Sequence, residues 1–509
     1  MTHSGYFTSL PYSYGYYLGM NLLHAKLIRN LHGDDGKNIQ YACELGFGNG
    51  LSLCLHAATS ETVWYGNDLM TDHVDFANEL LRESGIKSHL YAEPFHIYCE
   101  RDELPQFDFI ALHGVWSWIN GQDRETITQF LQEKLKPNGL VYISYNSLPG
   151  QAHILSFRHL FVQNFKTECK GTSDTTKAIN EAFAKIENLA SAGSRALTED
   201  SRTIEHIKSL KSRDASYLAH EYLNDSWEPM YFDEVSNQLG KANLNFLDSS
   251  HLLDHIPAFA FDKKQAKYLN DVDSTEARQL AIDYITNRQF RREYWIKSES
   301  RSQDQTILGD IPYETEFVQI VHKSKIKLKI NADAGTFSLD PMIYTLLMDV
   351  LDNQSSPNWK SLVKIFAEKK ISKLQTVEAI KIFLACGYIS VAINTVSPTV
   401  ASRCFSLNQY LFRRSRSNAD ISFFAAPKIQ GGMFIPRTHQ LFLSEIHRSE
   451  SKSKLILVIA EILSRNGEYL NTGTGEPVSY EDTKDELESQ YEAFTNEYLP
   501  RYRMLGIVP

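Results

Sequence analysis

Hydrophobic and polar positions alternate in different ways along this chain, and the changes divide it into regions. Between residues 39 and 150, apolar runs such as "IQYACEL" and "FDFIALHGV" are separated by segments with apolar residues at helical spacing, such as "DHVDFANELLRESG". Near-continuous apolar runs are typical of parallel strands that are buried on both faces. Strands and helices in alternation predict an α/β fold, here a Rossmann-like doubly wound domain with a parallel sheet.

The second region extends to about residue 300 and has few strand-like segments. "DTTKAINEAFAKIENLASA" and "STEARQLAIDYITNRQFRREYW" both place apolar residues at helical spacing. This spacing predicts helices, so we expect a mostly helical second domain.

The third region begins near residue 301 and mixes strands with helices. The lysines of "KIKLKI" alternate with apolar residues, which predicts an edge strand that shows its lysines to water. Asp340 and Ser356 each precede a proline and are the expected helix N-caps. A strand, three helices and a strand suggest a winged-helix-like α+β region. The predicted domains are therefore 1–170, 171–300 and 301–509.

Composition and charge argue against several classes of protein. The formal net charge is −10, which argues against a general nucleic-acid binder because a basic footprint is missing. No apolar run reaches the roughly 18 residues of a membrane span, and the N-terminus does not look like a signal peptide. The six cysteines form no CxxC pair, and His251 and His255 have no third ligand in sight. We expect a cytoplasmic protein without a metal site.

A glycine-rich turn, "CELGFGNG" at residues 43–50, carries the first chemical signal. It follows a predicted strand and opens a predicted helix, so backbone N–H groups there could face a ligand. The dinucleotide fingerprint requires a third glycine where Leu51 stands, and this argues against a nicotinamide or flavin ligand. Asp68 ends the next strand, where a carboxylate can accept both ribose hydroxyls. Together these features favour a nucleoside without phosphates.

The turn resembles motif I of class I S-adenosylmethionine-dependent methyltransferases, which has the pattern E-x-G-x-G-x-G. Four further segments resemble bacterial methyltransferases that carry a methyltransferase regulatory domain. That group includes the rickettsial protein-lysine methyltransferases that modify outer membrane protein B. The resemblance covers roughly the first 300 residues in order, and the last 200 are similar more weakly to the winged-helix region of the group. The four segments are "FDFIALHGVWSW", "LKPNGLVYISYNSLPG", "SYLAHEYLNDSWEPMYFDEV" and "FRREYW".

The resemblance implies an S-adenosylmethionine site and assigns residues to it. Asp68 would hold the ribose, and His113, after the fourth strand, would line the pocket near the methionine moiety. One or two of the tyrosines of "PYSYGYY" could cover the site, since aromatic rings attract a sulfonium. Packing of this segment on the sheet is the equal alternative. The remaining assignments are Glu44, Gly46, Gly48 and Gly50 at the methionine end, Glu93 and Pro94 by the adenine, and Tyr16 among Tyr12, Tyr14, Tyr16 and Tyr17.

The acceptor side is predicted from the end of the fifth strand. Tyr145 and Asn146 lie there and are expected to orient an acceptor amine, because ligands bind outside the carboxyl ends of such strands. Trp116 is preferred to Trp118 for the pocket. The alternatives are that His113 caps a strand, that both tryptophans are packing residues, and that Asn146 holds a turn.

The resemblance implies an N-methyltransferase that acts on lysine side chains of a bacterial protein, such as an outer membrane protein, and that forms a homodimer. One alternative keeps the cofactor and changes the acceptor to a small metabolite or a modified peptide. Another is a non-catalytic S-adenosylmethionine-binding regulator that contacts a partner or nucleic acid. The missing basic surface argues against the regulator.

Overall fold

The strands expected between residues 39 and 150 form one sheet together with two strands from further along the chain. The structure is a computed structural model. It describes residues 2–3, 6–7, 14–34, 36, 38–170, 172, 174–198, 201–211, 213, 218, 222–224, 226–298, 310–332, 334–354, 356–446, 448–470 and 480–509.

The sheet has seven strands in the order β5-β4-β3-β6-β7-β9-β8. The first five in this order are parallel to one another, whereas β9 is antiparallel to both β7 and β8. The chain winds from β3 to one side through β4 and β5, and to the other through β6 and β7. The topological switch point, where doubly wound sheets bind ligands, therefore lies between β3 and β6. The strands are β3 (Tyr41–Leu45), β4 (Val63–Asp68), β5 (Leu90–Ala92), β6 (Phe107–Leu112), β7 (Leu135–Asn146), β8 (Leu244–Ser249) and β9 (Phe290–Lys297).

Helices cover both faces of the sheet. The helices up to residue 300 are α1 (Leu22–Leu31), α2 (Leu51–Thr59), α3 (Thr71–Glu83), α4 (Phe95–Tyr98), α5 (Gly121–Lys134), α6 (Ala152–Glu168), α7 (Thr175–Ser191), α8 (Arg195–Thr198), α9 (Ser201–Lys211), α10 (Phe232–Gly240), α11 (Pro257–Ala260), α12 (Lys263–Asn270) and α13 (Thr275–Thr286). Short 3-10 turns lie at Leu18–Met20, Trp116–Trp118 and Leu252–His255. Helices α6, α7 and α9 pack around their own small core, which includes Phe157, Phe161 and Ile186.

The second region is mostly helical as predicted, but it also supplies two strands of the main sheet. "FRREYW" was expected to extend a helix, but α13 ends at Thr286 and this segment is in β9. Asn287 follows the helix with a positive φ of 49° and ends it. β9 then pairs with β7 over seven residues, from Leu140–Ile296 to Asn146–Phe290. Long-range pairing has outweighed the local helical spacing. The boundaries at 170 and 300 stay a prediction.

A buried ionic network holds β9 in place. The Arg291 guanidinium donates to Asp283 on α13 and to Glu293 on its own strand, and all three residues are buried. Glu293 also accepts from the Trp295 indole N–H at 3.0 Å and from the Tyr145 hydroxyl at 3.4 Å. A buried charge of this kind is strongly destabilising when one partner is removed. The network therefore couples β7, β9 and α13.

The third region contains the expected succession of strand, three helices and strand. Strand β10 (Glu316–Gln319) pairs antiparallel with β13 (Ile389–Ala392), and β11 (Lys329–Ala332) forms a hairpin with β12 (Gly335–Ser338). Only the end of "KIKLKI" is in a strand, because Lys323–Lys325 form a 3-10 turn. The chain passes from β13 directly into a long helix, so the structure does not confirm a winged helix.

The later elements complete the third region. They are α14 (Pro341–Asn353), α15 (Trp359–Glu368), α16 (Lys373–Ala385), α17 (Pro398–Ser415), α18 (Arg437–Glu445), α19 (Lys452–Arg465), α20 (Tyr480–Ala493) and α21 (Leu499–Met504), with the antiparallel pair β14 (Phe423–Ala426) and β15 (Gly431–Phe434), a 3-10 turn at Pro427–Ile429 and a π-helical turn at Phe494–Tyr498. A further antiparallel pair, β1 (Thr2–His3) and β2 (Tyr6–Phe7), lies near the N-terminus.

One of the two expected caps in this region is present. Asp340 caps α14 by accepting from the backbone N–H of Met342 at 2.9 Å. Ser356 does not cap the next helix. Asn358 does, through the backbone N–H of Ser361 at 2.9 Å, so Pro357 lies outside the helix.

The third region packs directly on the sheet domain. The Cys404 thiol on α17 donates to the carbonyl of Ala58 on α2 at 3.3 Å. The Asn21 amide, at the start of α1, donates to the carbonyls of Ile429 and Gln430. One continuous hydrophobic core runs from α1 and α2 into α17 and the last helices. The C-terminal half therefore supports the same face of the sheet that α1 and α2 cover.

The described ranges contain neither a membrane-spanning helix nor a cluster of metal ligands. No helix there is long and apolar enough to cross a membrane. In the same ranges, no group of three or more histidine, cysteine or acidic side chains could hold a metal ion. The His255 ring nitrogens lie 2.8 Å from the carbonyl of Ser249 and 3.4 Å from Asp248, and His251 lies beside Asp254.

Three buried histidines and the half-buried His113 give the fold a pH dependence. Burial lowers the pKa of His24, His56 and His439 to about 4 and that of His113 to about 3. The unfolded chain takes up protons below pH 6.5 that the folded chain refuses, so each histidine lowers stability as pH falls from 6.5 to 4. The buried acids Glu44 and Asp283 have raised pKa values and act in the opposite direction.

We therefore predict a change of slope for His439→Gln. Urea unfolding at several pH values should show that the loss of stability between pH 6.5 and 4 is smaller in the variant, by about 1.4 kcal/mol per pH unit. If the free energy of unfolding falls equally with pH in the variant and in the wild-type protein, His439 is not held neutral by the fold.

Candidate functional site

The glycine-rich turn joins β3 to α2 at the switch point of the sheet. Gly46, Gly48 and Gly50 have φ values of 67°, 60° and 72°, a region that side chains with a Cβ rarely adopt. A Cβ on Gly46 would lie 2.8 Å from the Val115 side chain, and one on Gly50 would lie 2.7 Å from the Ala77 side chain. The positive φ angles therefore explain why glycine occupies all three positions.

A cavity opens above this turn, at the carboxyl ends of β3, β4, β5 and β6. Side chains that follow or end four strands converge there because parallel strands end at one edge of a sheet. The lining residues include Tyr17, Glu44, Gly46, Gly48, Asn67, Asp68, His73, Glu93, Pro94, Phe95, His96, His113, Gly114, Trp118, Asn120, Asp123 and Ser226. Gly50 is not among them. It starts α2 and packs against α3 instead of approaching a ligand.

Glu44 is the most unusual group in the cavity wall. It is 1% exposed, and its Oε2 atom has no hydrogen-bond partner in the described chain. Burial raises the pKa of the Glu44 carboxyl well above its ordinary value, and the nearby Asp68 carboxylate raises it further. The Asn67 Oδ1 atom, in the same wall, is also buried without a donor in the described chain. The cavity thus offers two acceptor oxygens to a ligand that carries N–H groups.

Asp68 stands at the expected strand end, but much of its carboxylate is already engaged. Oδ2 accepts from the Gly48 backbone N–H at 2.9 Å, and Oδ1 accepts from the Met70 backbone N–H at 2.9 Å. The Nδ1 atom of His73 lies 3.0 Å from Oδ1. A carboxylate has about four acceptor positions, so roughly one is left. Asp68 therefore also braces the glycine turn, which the sequence did not reveal.

Glu93 and Pro94 line the cavity as expected, but the Glu93 carboxylate is held by another residue. The Arg101 guanidinium donates to both of its oxygens, at 2.8 and 2.6 Å. The backbone carbonyl of Glu93 accepts from the Asn67 side-chain amide at 2.9 Å. The segment is thus held rigidly beside β4.

His113 lies in the wall and is fixed on two sides. Its Nδ1 atom is 2.9 Å from the Tyr142 hydroxyl and 3.3 Å from the Ser144 hydroxyl. The Tyr17 ring stacks on the imidazole with 3.6 Å between centroids. Burial, and then the charge of Arg292, lower the pKa of His113 to about 3, so the ring is neutral at physiological pH.

Tyr17 takes the position that was predicted for Tyr16. The Tyr16 ring points the other way, lying 5.1 Å from the His56 ring and 5.4 Å from the Phe423 ring. Its hydroxyl accepts from the Asn21 amide at 3.3 Å. Successive residues of an extended segment point to opposite sides, so only one of the two tyrosines can face the cavity. Tyr14 packs against Phe76, and Tyr12 lies outside the described residues.

The three residues expected to be catalytic are not brought to the cavity. Trp116 is fully buried in the core on the opposite face, and Trp118 lines the cavity instead, near the Trp227 ring. The Tyr145 ring is buried on that same opposite face, where its hydroxyl donates to Glu293. Asn146 uses its backbone N–H and carbonyl to bind Ser117 and Met230, which holds the end of β7.

Several lining residues were not predicted from the sequence. Asn67 and His73 flank Asp68 in the chain, so the position of that carboxylate is a signal that could have pointed to them. Asn120 and Asp123 form the N-terminal turn of α5, and Ser226 comes from a distant segment that carries no local signal.

Comparison with known proteins gives a family match and a shared fold. Residues 214–297 match the family described as a predicted methyltransferase regulatory domain. An uncharacterized protein of Synechocystis sp. is 29% identical over 513 residues, which cover 99% of this chain and 99% of that protein. An uncharacterized protein of Rickettsia prowazekii is 28% identical over 309 residues, which cover 56% of this chain and 51% of that protein.

Solved structures of PKMT2 from Rickettsia typhi share the fold over nearly the whole chain. The complex with AdoHcy has a TM-score of 0.66 at 18% identity and covers 98% of this chain and 99% of that chain. A second PKMT2 structure has a TM-score of 0.63 at 19% identity and covers 97% of this chain and 99% of that chain. The family match and this shared fold confirm the resemblance predicted from the sequence.

The turn glycines allow a matched test of packing against backbone strain. Gly46 and Gly85 have nearly the same φ, 67° and 70°, but a Cβ on Gly85 would meet nothing within 4 Å. Gly85→Ala should therefore cost only the backbone strain, about 1–2 kcal/mol. Gly46→Ala adds overpacking against Val115, so its loss of stability should be larger by about 1–3 kcal/mol. Urea unfolding of both variants measures this. Equal losses would contradict the close packing of the turn.

Proposed function

We propose that this protein is an S-adenosylmethionine-dependent N-methyltransferase that acts on lysine side chains of a protein. One observation carries the proposal. The cavity at the switch point of the sheet holds the buried Glu44 carboxyl group beside the glycine turn, and its Oε2 atom has no hydrogen-bond partner among the described residues. A buried acceptor without a donor is costly, and a ligand that brings N–H groups relieves that cost.

The residues present fit the methionine end of the cofactor. Its ammonium group would donate to Glu44 Oε2 and Asn67 Oδ1, the two acceptors that have no described donor. Its sulfonium would lie near Tyr17 and the neutral His113. A protonated imidazole would repel a cation, whereas an aromatic ring attracts one. The low pKa of His113 therefore suits a cationic ligand.

The ribose would lie at Asp68. With about one acceptor position left on this carboxylate, one hydroxyl would bind Asp68 directly. The neighbouring His73 ring would serve the second, so the two residues share the function that was expected of Asp68 alone. Because Gly48 donates to the same carboxylate, the ribose site and the turn would be coupled.

The adenine would lie in the outer part of the cavity. Pro94, Phe95 and Trp118 provide apolar surface in the cavity wall, and Asp123 is also among the lining residues. Partial burial raises the pKa of the Asp123 carboxyl. Glu93 would contribute backbone rather than its carboxylate, which Arg101 already engages.

The bound cofactor supplies an electrophilic methyl group on sulfur. The contribution of the protein is to hold the reacting atoms in line and to exclude water, since orientation accounts for much of the achievable acceleration. The acceptor amine must be neutral to attack. Burial in the cavity mouth would lower its pKa and so favour that form.

The lysine acceptor, a homodimer and a cytoplasmic location are inferred from the resemblance to the rickettsial protein-lysine methyltransferases. The regions after residue 150 support a macromolecular acceptor. These regions contain many more residues than are needed to form the cavity. They include residues 214–297, which match the regulatory domain.

Cofactor binding should release a proton from Glu44. Burial raises the pKa of the Glu44 carboxyl well above its ordinary value and so favours the protonated form, whereas an incoming ammonium favours the ionised form. Calorimetry at pH 7 in buffers of different ionisation enthalpy should show release of up to one proton. Glu44→Gln should abolish the release and weaken binding about 10- to 100-fold, because a hydrogen bond to a charged group is worth about 1.5–3 kcal/mol.

Glu93→Gln is the matched control. It also removes a carboxylate from the cavity wall, but one that Arg101 already neutralises, so the proton release should persist. Release that disappears in both variants, or in neither, would contradict the assignment of Glu44. Tighter binding of NAD than of S-adenosylmethionine would contradict the cofactor itself.

The acceptor is tested with methyl-labelled cofactor and a heat-treated bacterial lysate. Mass spectrometry should find labelled lysines in one or a few proteins with the wild-type enzyme and far fewer with Glu44→Gln. Label that appears only in small molecules would support the metabolite alternative. Tight cofactor binding without any labelling would support the non-catalytic regulator.

A further inference from the structure

A second cavity lies at the carboxyl edge of the sheet, beside the one described above. Its lining includes Ser249, Asp254, Arg288, Phe290 and Arg292. Because β9 runs antiparallel to its neighbours, the first residues of β9 lie where the parallel strands end. This cavity is therefore on the edge where doubly wound sheets bind ligands.

His113 and Phe290 separate the two cavities. Their rings are 6.3 Å apart, and His113 lines the first cavity while Phe290 lines the second. Arg292 is paired in the ladder with Ser144, whose hydroxyl accepts from Gly114 and contacts His113. Facing residues of an antiparallel pair share one face of the sheet. Arg292 thus points to the face that carries His113, and its charge contributes to the low pKa of that histidine.

The three arginines of this segment differ in their partners. Arg288 donates to Asp254 at 2.6 Å, and Arg291 is enclosed between Asp283 and Glu293. Arg292 has an exposed side chain, and no carboxylate of the described residues forms an ion pair with it. Its guanidinium lies 5.9 Å from the Phe290 ring centroid. The second cavity is therefore lined by one arginine, Arg292, that no carboxylate of the described ranges neutralises.

The backbone at this position is held in place. The carbonyl of Arg292 accepts from the Ser250 backbone N–H at 2.8 Å, and residues on both sides of it are paired in the ladder with β7. The guanidinium is thus presented from a strand and not from a loop. A planar donor on a rigid element suits two-point recognition of a carboxylate.

We propose that the second cavity binds the part of the acceptor next to the amine that receives the methyl group, and that Arg292 recognises a carboxylate there. This inference rests on the proposed methyltransferase function. The carboxylate could be an acidic side chain beside the lysine or the α-carboxylate of a free amino acid, and the chemistry is the same. The positive charge also disfavours protonation of a nearby amine, which keeps the nucleophile neutral.

The test uses synthetic peptides with one lysine flanked by glutamate, glutamine or lysine in an otherwise identical background, together with free lysine and lysine amide. The full-length protein should methylate the glutamate peptide at least tenfold faster than the glutamine peptide, measured as kcat/KM. Arg292→Gln should remove this preference, and Arg292→Lys should keep part of it. Arg292→Glu should prefer the lysine-flanked peptide. Arg82→Gln, which removes an exposed arginine of α3, controls for net charge.

A different outcome is that the enzyme methylates free lysine faster than lysine amide and shows no difference between the peptides. That result would place the recognised carboxylate on a small acceptor, and it would still support carboxylate recognition by Arg292. Equal rates for all members of the panel, or a preference that survives in Arg292→Gln, would overturn the proposal. The proposal would also be overturned if the protein binds the cofactor but methylates none of the peptides and neither free lysine nor lysine amide.

Failure to bind the cofactor would refute the proposed function separately. In that case Arg292 is judged from the fluorescence anisotropy of the labelled peptides. Weaker binding of the glutamate peptide by Arg292→Gln, with the glutamine peptide unchanged, would support the site, and equal binding would reject it.

Discussion

The placement of β9 between β7 and β8 is the constraint on which the rest of the structure depends. The strand carries a fully desolvated guanidinium, Arg291, which is tolerable only while Asp283 and Glu293 stay beside it. Those two partners come from α13 and from β9 itself. The network therefore ties the last helix before β9 to the sheet, although this helix lies more than a hundred residues after β7.

The alternation of side chains along β9 gives this strand two functions. Arg291, Glu293 and Trp295 point into the core on one face, where they hold Tyr145. Arg292 and Tyr294 point to the other face, which carries His113. There the Tyr294 ring contacts the Tyr142 ring, and the Tyr294 hydroxyl donates to the carbonyl of Gly19. The same pairing that buries one arginine thus exposes the next beside the cavity. A register shift of one residue would exchange these environments, so the register is strongly specified.

Two of the acidic residues that line the first cavity, Glu44 and Asp68, show how neighbouring carboxyl groups acquire different properties. Asp68 receives two backbone N–H groups and lies beside His73, whereas Glu44 is buried with one oxygen unpartnered. Hydrogen bonds stabilise a carboxylate in its charged form, and burial destabilises it. Asp68 consequently braces the turn, while burial raises the pKa of the Glu44 carboxyl.

Much of the cavity could be predicted from local patterns. Glu44 is next to the last residue of β3, Asp68 ends β4, and Glu93 and His113 directly follow β5 and β6. Parallel strands end at a common edge. Knowing the strands was therefore enough to place these residues together. The conformation of the turn glycines follows from the residue type itself, since φ near 60–70° favours glycine.

The remaining features were decided only by contacts distant in the chain. Tyr145 lies near the end of a parallel strand, as His113 does, and the sequence therefore suggested the cavity for both. The Tyr145 hydroxyl is instead bound by Glu293, 148 residues away. Tyr16 and Tyr17 look alike in sequence, and the packing of Phe423 and His56 against one of them selects the other for the cavity. The helical spacing before "FRREYW" could not show that this segment would pair with β7. Local patterns determine which residues can form a strand or a turn, but which side of it is buried depends on surfaces that only the folded chain brings together.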